Sequence, residues 1–69
     1  MGITSGQIKE WLGDGWRVVE KTVSAAEWQD AAWRTEYLCG QVDLGLYHVY
    51  DEPGDGGKQR VCFAAEDLG

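Results

Sequence analysis

The chain has 69 residues, with 12 acidic against 6 basic side chains, a formal net charge of −6 and a pI near 4.4. That is room for one small domain, whose thin stability has to come from a few large side chains; 4 Trp, 3 Tyr and 1 Phe supply them. The acidic balance argues against direct contact with DNA, RNA or an anionic membrane, whose phosphates it repels, and 43% hydrophobic residues argue against disorder.

Thr4 and Gln7 have capping-box spacing, with Ile3 and Ile8 in hydrophobic-staple positions. Ile8, Trp11 and Leu12 then share one face and Gly13 suits a left-handed stop, so a short helix is predicted over Ser5–Leu12. Trp16 to Val23 is rich in β-branched residues and has no clean apolar face, which reads as an edge strand. Ser24 and Glu27 repeat the capping-box spacing, with Val23 and Trp28 as the staple. They start a second, longer helix that groups Trp28, Ala31, Ala32, Thr35 and Cys39 on one side and stops at Gly40. At its far end, Thr35 to Cys39 also suits the start of a strand. Gln41 to Glu52 alternates at first through Val42, Leu44 and Leu46, then fills both faces, and Gly45 is the expected bulge. Pro53 to Gly57 is a loop by composition, Gln59 to Ala64 is the returning hairpin strand, and Ala65 to Gly69 is a helical turn or frayed tail. The expected fold is α+β: an antiparallel sheet of about three strands covered on one face by a long helix, in the order helix, strand, helix, strand, strand.

Little in this sequence points to catalysis. His48 is the single histidine and has no local nucleophile–carboxylate set around it, so it reads as structural or exposed. The carboxylate pairs Asp51–Glu52 and Glu66–Asp67 fall in loop-like or terminal segments and read as solvated charge. Cys39, Cys62 and His48 lack metal-ligand spacing, and the two cysteines are too few for a disulfide scaffold, so free thiols are expected. Asp51 and Asp55 flank a glycine-rich loop, but Pro53 occupies the place a calcium loop needs for an acid. Gly54 to Lys58 fails as a phosphate loop, with Glu52 at the leading glycine and Gln59 after the lysine. No metal, no cofactor and no enzyme activity are expected. No secretory leader, myristoylation match or membrane span is found, and the chain reads as cytoplasmic.

The charge distribution is more informative. Residues 1–23 balance, so the whole −6 lies in residues 24–69. Glu27 and Asp30 project from the second helix away from Trp28, while Asp43, Asp51, Glu52 and Asp55 follow the hairpin. Brought together, they form a negative field that steers toward a basic partner. Trp33 and Tyr37, four apart, stack on the helix side opposite Trp28 and suit an interface anchor; the alternative is cover by the hairpin or first helix.

In size, charge and domain economy the whole chain resembles the small acidic anti-CRISPR proteins encoded by phages. The likeness involves no sequence motif, so no residue role is carried over. It implies a protein in the bacterial host cytoplasm whose carboxylates stand in for DNA phosphates. Such a protein blocks DNA or PAM engagement by a Cascade-type complex, with a basic nucleic-acid-binding surface as its partner. A different class fits the same residues: a small structural or adaptor protein, a monomer or weak homodimer, that docks through its exposed aromatics.

Overall fold

The computed structural model describes residues 2–67. Six elements follow one another: α1 (Ser5–Leu12), β1 (Trp16–Ser24), α2 (Ala25–Gln29), α3 (Ala31–Asp43), β2 (Tyr47–Pro53) and β3 (Lys58–Glu66). The strands form one antiparallel sheet in the order β1-β3-β2, so the last strand is central and β1 is an edge, as its mixed faces predict. The class is α+β, as expected from the sequence.

The first helix obeys its local signals. The Thr4 hydroxyl accepts from Gln7 N–H, the Gln7 side chain accepts from Thr4 N–H, and Gly13 ends the helix at a positive φ of 79°.

The second predicted helix is corrected in three ways. Ser24 makes no side-chain cap; it is the last residue of β1, and the Gly57 carbonyl of the hairpin loop accepts from Ala25 N–H in its stead. The helix also breaks at Asp30, whose ψ of 110° is extended. There the Asp30 carboxylate accepts from Ala32 and Trp33 N–H and starts α3 afresh. This break re-phases the helix. Trp33, Arg34, Tyr37, Leu38 and Gln41 turn inward, while Ala31, Ala32, Thr35 and Cys39, expected beside Trp28, are exposed.

The third correction is at the far end. The helix runs through Gly40 to Asp43, so Val42 and Leu44 are exposed instead of lining a strand. It stops in a two-bond C-cap: Gly45 N–H donates to Val42 and Leu46 N–H to Gln41. Gly45 has a φ of 82°, which a β-carbon would strain, and it therefore ends a helix and is no bulge. The bulge lies four residues later, where the register shifts between His48 and Tyr50.

Strand register sorts the side chains into two faces. One carries Val19 and Val23 of β1 with Val61, Phe63 and Ala65 of β3, and packs against Trp28, Trp33, Tyr37, Leu38 and Leu46. The other carries Val18, Glu20, Arg60, Cys62 and Ala64, and there α1 lies beside β1, with Ile8 buried and Ser5 Oγ donating to Glu20. The long helix thus covers one face, as expected, and α1 lies against the other. That is why β3 is buried continuously from Val61 to Ala65, the signature of a strand with cover on both sides. Ala65 and Glu66, expected in a terminal turn or tail, belong to this strand; Leu68 and Gly69 lie outside the described residues. Cys39 is exposed, Cys62 is buried, and both are free thiols.

Asp30→Ala removes both N-terminal bonds of α3 and is expected to cost about 1 kcal/mol. In a domain this small that lowers the melting temperature by roughly 4–8 °C. Asp30→Asn keeps the cap and should change it far less; thermal unfolding followed by circular dichroism measures both.

Candidate functional site

Asp51 and Glu52, read from the sequence as a solvated or partner-facing pair, are separated by strand alternation onto opposite faces of the sheet. Because the bulge precedes them, Asp51 pairs with Val61 on the α2–α3 face and Glu52 with Arg60 on the α1 face.

Asp51 is the hub of one polar cluster. Its Oδ2 accepts from Trp28 Nε1 at 3.2 Å and from Gln59 Nε2 at 2.8 Å, and its Oδ1 from His48 Nε2 at 2.9 Å. His48 is held by the same carboxylate and tilted against the rings of Trp28 and Phe63. This satisfies the indole N–H of a buried tryptophan, as burial of a donor requires.

Glu52 serves a second cluster. It accepts from Arg60 Nε at 2.7 Å and from the Tyr50 hydroxyl at 3.1 Å. Arg60 also donates to Glu20 Oε2 at 2.9 Å, to the Cys62 sulfur at 3.2 Å and to the Ile3 carbonyl, and lies over the Tyr50 ring. One guanidinium therefore joins β1, β2, β3 and the segment before α1. The Arg60 hydrogen bond holds the Glu52 carboxyl below the usual glutamate range, and Glu52 in turn raises Arg60 further. Burial first, and Glu52 second, push the Tyr50 phenol up; burial pushes the Cys62 thiol up.

The remaining predicted acids do not converge into one patch. Asp30 is consumed by the α3 cap. Glu27 lies on α2, whose first residue is bonded to the hairpin loop that carries Asp55. Asp43 ends α3 at the other end of a sheet about 25 Å long. Of the six acids singled out in the sequence, three are thus structural carboxylates and three are exposed, Glu27 and Asp55 toward one end of the sheet and Asp43 at the other.

Trp33 and Tyr37 do come together, stacked with centroids 5.0 Å apart and planes 10° apart. They are not opposite Trp28: Tyr37 meets it edge-on at 6.5 Å and Phe63 at 6.3 Å, so the pair is the outer end of the core's aromatic stack. Both residues are half-buried, and burial raises the Tyr37 phenol. With Glu36 they line a shallow depression of about 370 Å³. Glu36 escaped the sequence reading, although its i+3 spacing from Trp33 was the signal that places it there. A second depression, of about 300 Å³, is lined by Arg17, Leu44, Tyr47 and Glu66 among others, with Leu44 70% and Tyr47 45% exposed.

Among the described residues no group of three His, Cys, Asp or Glu side chains is placed to hold a metal ion, and no helix is long and apolar enough to cross a membrane. Comparison with protein-family models, curated proteins and solved structures returns no match to this chain.

The pKa of Glu52 fixes a sign. A carboxyl whose pKa is lower folded than unfolded stabilises the fold at pH above the unfolded value, and that stability drains away as pH falls through the folded value. Denaturant unfolding at stepped pH should therefore show stability falling on acidification below the ordinary glutamate range. In Glu52→Gln that part of the fall is expected to be absent, and stability at neutral pH to be lower.

Proposed function

We propose that this is an inhibitory binding protein of the anti-CRISPR kind. It occupies a basic, DNA- or PAM-engaging surface of a Cascade-type effector complex in the host cytoplasm and keeps duplex DNA off it.

The observation that carries this reading is the unequal use of the two charge signs. Four of the six cations are bonded inward or back on the chain: Arg60 to Glu20 and Glu52, Arg34 to the Trp28 carbonyl, Lys21 to Gln41 and Lys9 to the Gly13 carbonyl. Of the twelve acids only Glu20, Asp30, Asp51 and Glu52 make side-chain bonds among the described residues. The other eight, Glu10, Asp14, Glu27, Glu36, Asp43, Asp55, Glu66 and Asp67, are exposed. By exposure, three cations (Lys9, Arg17 and Lys58) face ten acids, so the outer surface is more one-sided than the composition, and a surface of one sign attracts its opposite over a Debye length. The negative groups are spread over both ends of the molecule, so the reading rests on a general field plus the aromatic–acid depression on α3, not on a single row of phosphate mimics.

One observation favours the alternative, an adaptor that pairs or docks through apolar contacts: Leu44 and Tyr47 stand exposed around the second depression. That version is nearly indifferent to salt.

The test is binding of the protein to an immobilised, purified type I effector complex, with a PAM-bearing duplex as competitor. The expected outcome is mutually exclusive binding that weakens steeply between about 50 and about 500 mM salt. Combining Glu27→Gln, Asp43→Asn and Asp55→Asn, all at exposed positions, should weaken it about tenfold. Failure to bind at low salt, or binding that tolerates the duplex, overturns the reading. A dimer in sedimentation that Leu44→Asp dissociates would transfer it to the adaptor.

A further inference from the structure

We infer that Trp33, Tyr37 and Glu36 form a seat for a guanidinium, and hence for one arginine side chain of the protein's basic partner. The identity of that partner rests on the function proposed above; the chemistry of the seat rests on the geometry alone.

The aromatic order gives the seat its floor. Trp28 and Phe63 pack against Tyr37 from inside, and Trp33 stacks nearly parallel on Tyr37. The inner ring is thus held by the core, and Trp33, half-buried against it, lines the depression. A tryptophan face carries the most negative quadrupole of the aromatic side chains and is the preferred platform for a cation. A planar guanidinium continues a parallel stack in a way a compact ammonium does not.

Glu36 gives the seat its sign. It lines the same depression, is exposed, and makes no hydrogen bond or ion pair among the described residues. The neighbouring cation does not answer it: Arg34 is folded back, donating to the Trp28 carbonyl at 3.0 Å with its guanidinium over the Trp28 ring. That contact shows the chain itself placing an arginine on a tryptophan face one turn away. Gly40, the next residue on the Glu36 flank of the helix, has nothing within 4 Å of where a β-carbon would stand, so the approach to the seat is open.

The seat is tested without the partner, on the ¹⁵N-labelled full chain, with N-acetyl-arginine amide as probe. Saturable shifts are expected at the Trp33 indole N–H and at the amides of residues 33–37. They should be absent with the uncharged isostere N-acetyl-citrulline amide and weaker with N-acetyl-lysine amide. Glu36→Gln, at an exposed position, should weaken arginine binding about threefold, and Trp33→Phe should weaken it while the rest of the spectrum stays native. No shift up to about 100 mM probe, equal shifts with citrulline, or an unchanged affinity in Glu36→Gln overturns the seat. Displacement of duplex DNA from the effector complex is read separately: arginine binding with no displacement leaves the seat standing and sinks the function, and the reverse result does the opposite.

Discussion

Two adjacent carboxylates hold the two faces of this domain to its sheet. Because successive residues of a strand point to opposite sides, Asp51 reaches Trp28, Gln59 and His48 under the long helices, while Glu52 reaches Arg60 under the N-terminal segment. The bulge at Val49 sets this phase; without it Tyr50 and Glu52 would exchange faces with Asp51, and neither cluster could form. Each cluster joins elements distant in sequence, and each satisfies a donor that burial would otherwise leave unpaired. A chain this short has little apolar area to stabilise three layers, and hydrogen-bonded charge at both faces fixes one arrangement among several compact ones.

Between the clusters runs β3, whose side chains from Val61 to Ala65 are buried on both faces. Its central position follows from topology: the hairpin returns beside β2, and β1 adds to the free edge of the last strand. The outer strands then carry the polar and bulged positions, which suits edges that must resist pairing with other chains. The break at Asp30 has the same logic. A continuous helix from Ala25 would keep Trp28 inward but turn Trp33 and Tyr37 away from it. The extended residue lets both segments present aromatics to the sheet.

The consequences for function run through charge. Folding partly buries three of the six positive groups but only two of the twelve negative ones, and leaves a surface on which carboxylates dominate. An acidic protein acting on a nucleic-acid-binding partner needs long-range attraction and at least one short-range anchor. The dispersed acids suit the first role, and the Trp33–Tyr37 stack beside Glu36 suits the second. Asp51 and Glu52, attractive as phosphate mimics in a linear reading, are already neutralised or hydrogen-bonded within the fold.

Local signals were legible wherever the interaction itself is local. Thr4, Gln7 and Gly13 bounded α1, the mixed faces of Trp16 to Val23 marked an edge strand, and the glycine-rich Pro53 to Gly57 segment marked the hairpin loop, although Pro53 itself closes β2. The Trp33–Tyr37 stack also followed from spacing alone. Tertiary structure decided the rest. Ser24 has the spacing of a capping box, yet it is held in the sheet opposite Lys58 and its side chain caps nothing, while Asp30 breaks the expected helix and caps α3 instead. Val42 and Leu44 alternate like a strand, yet the buried Leu46 and the positive φ of Gly45 close a helix around them. Which acids remain free for a partner was not readable either. A carboxylate in a sequence is only a charge, and whether it meets an arginine, an indole or water depends on which strand lies beside it.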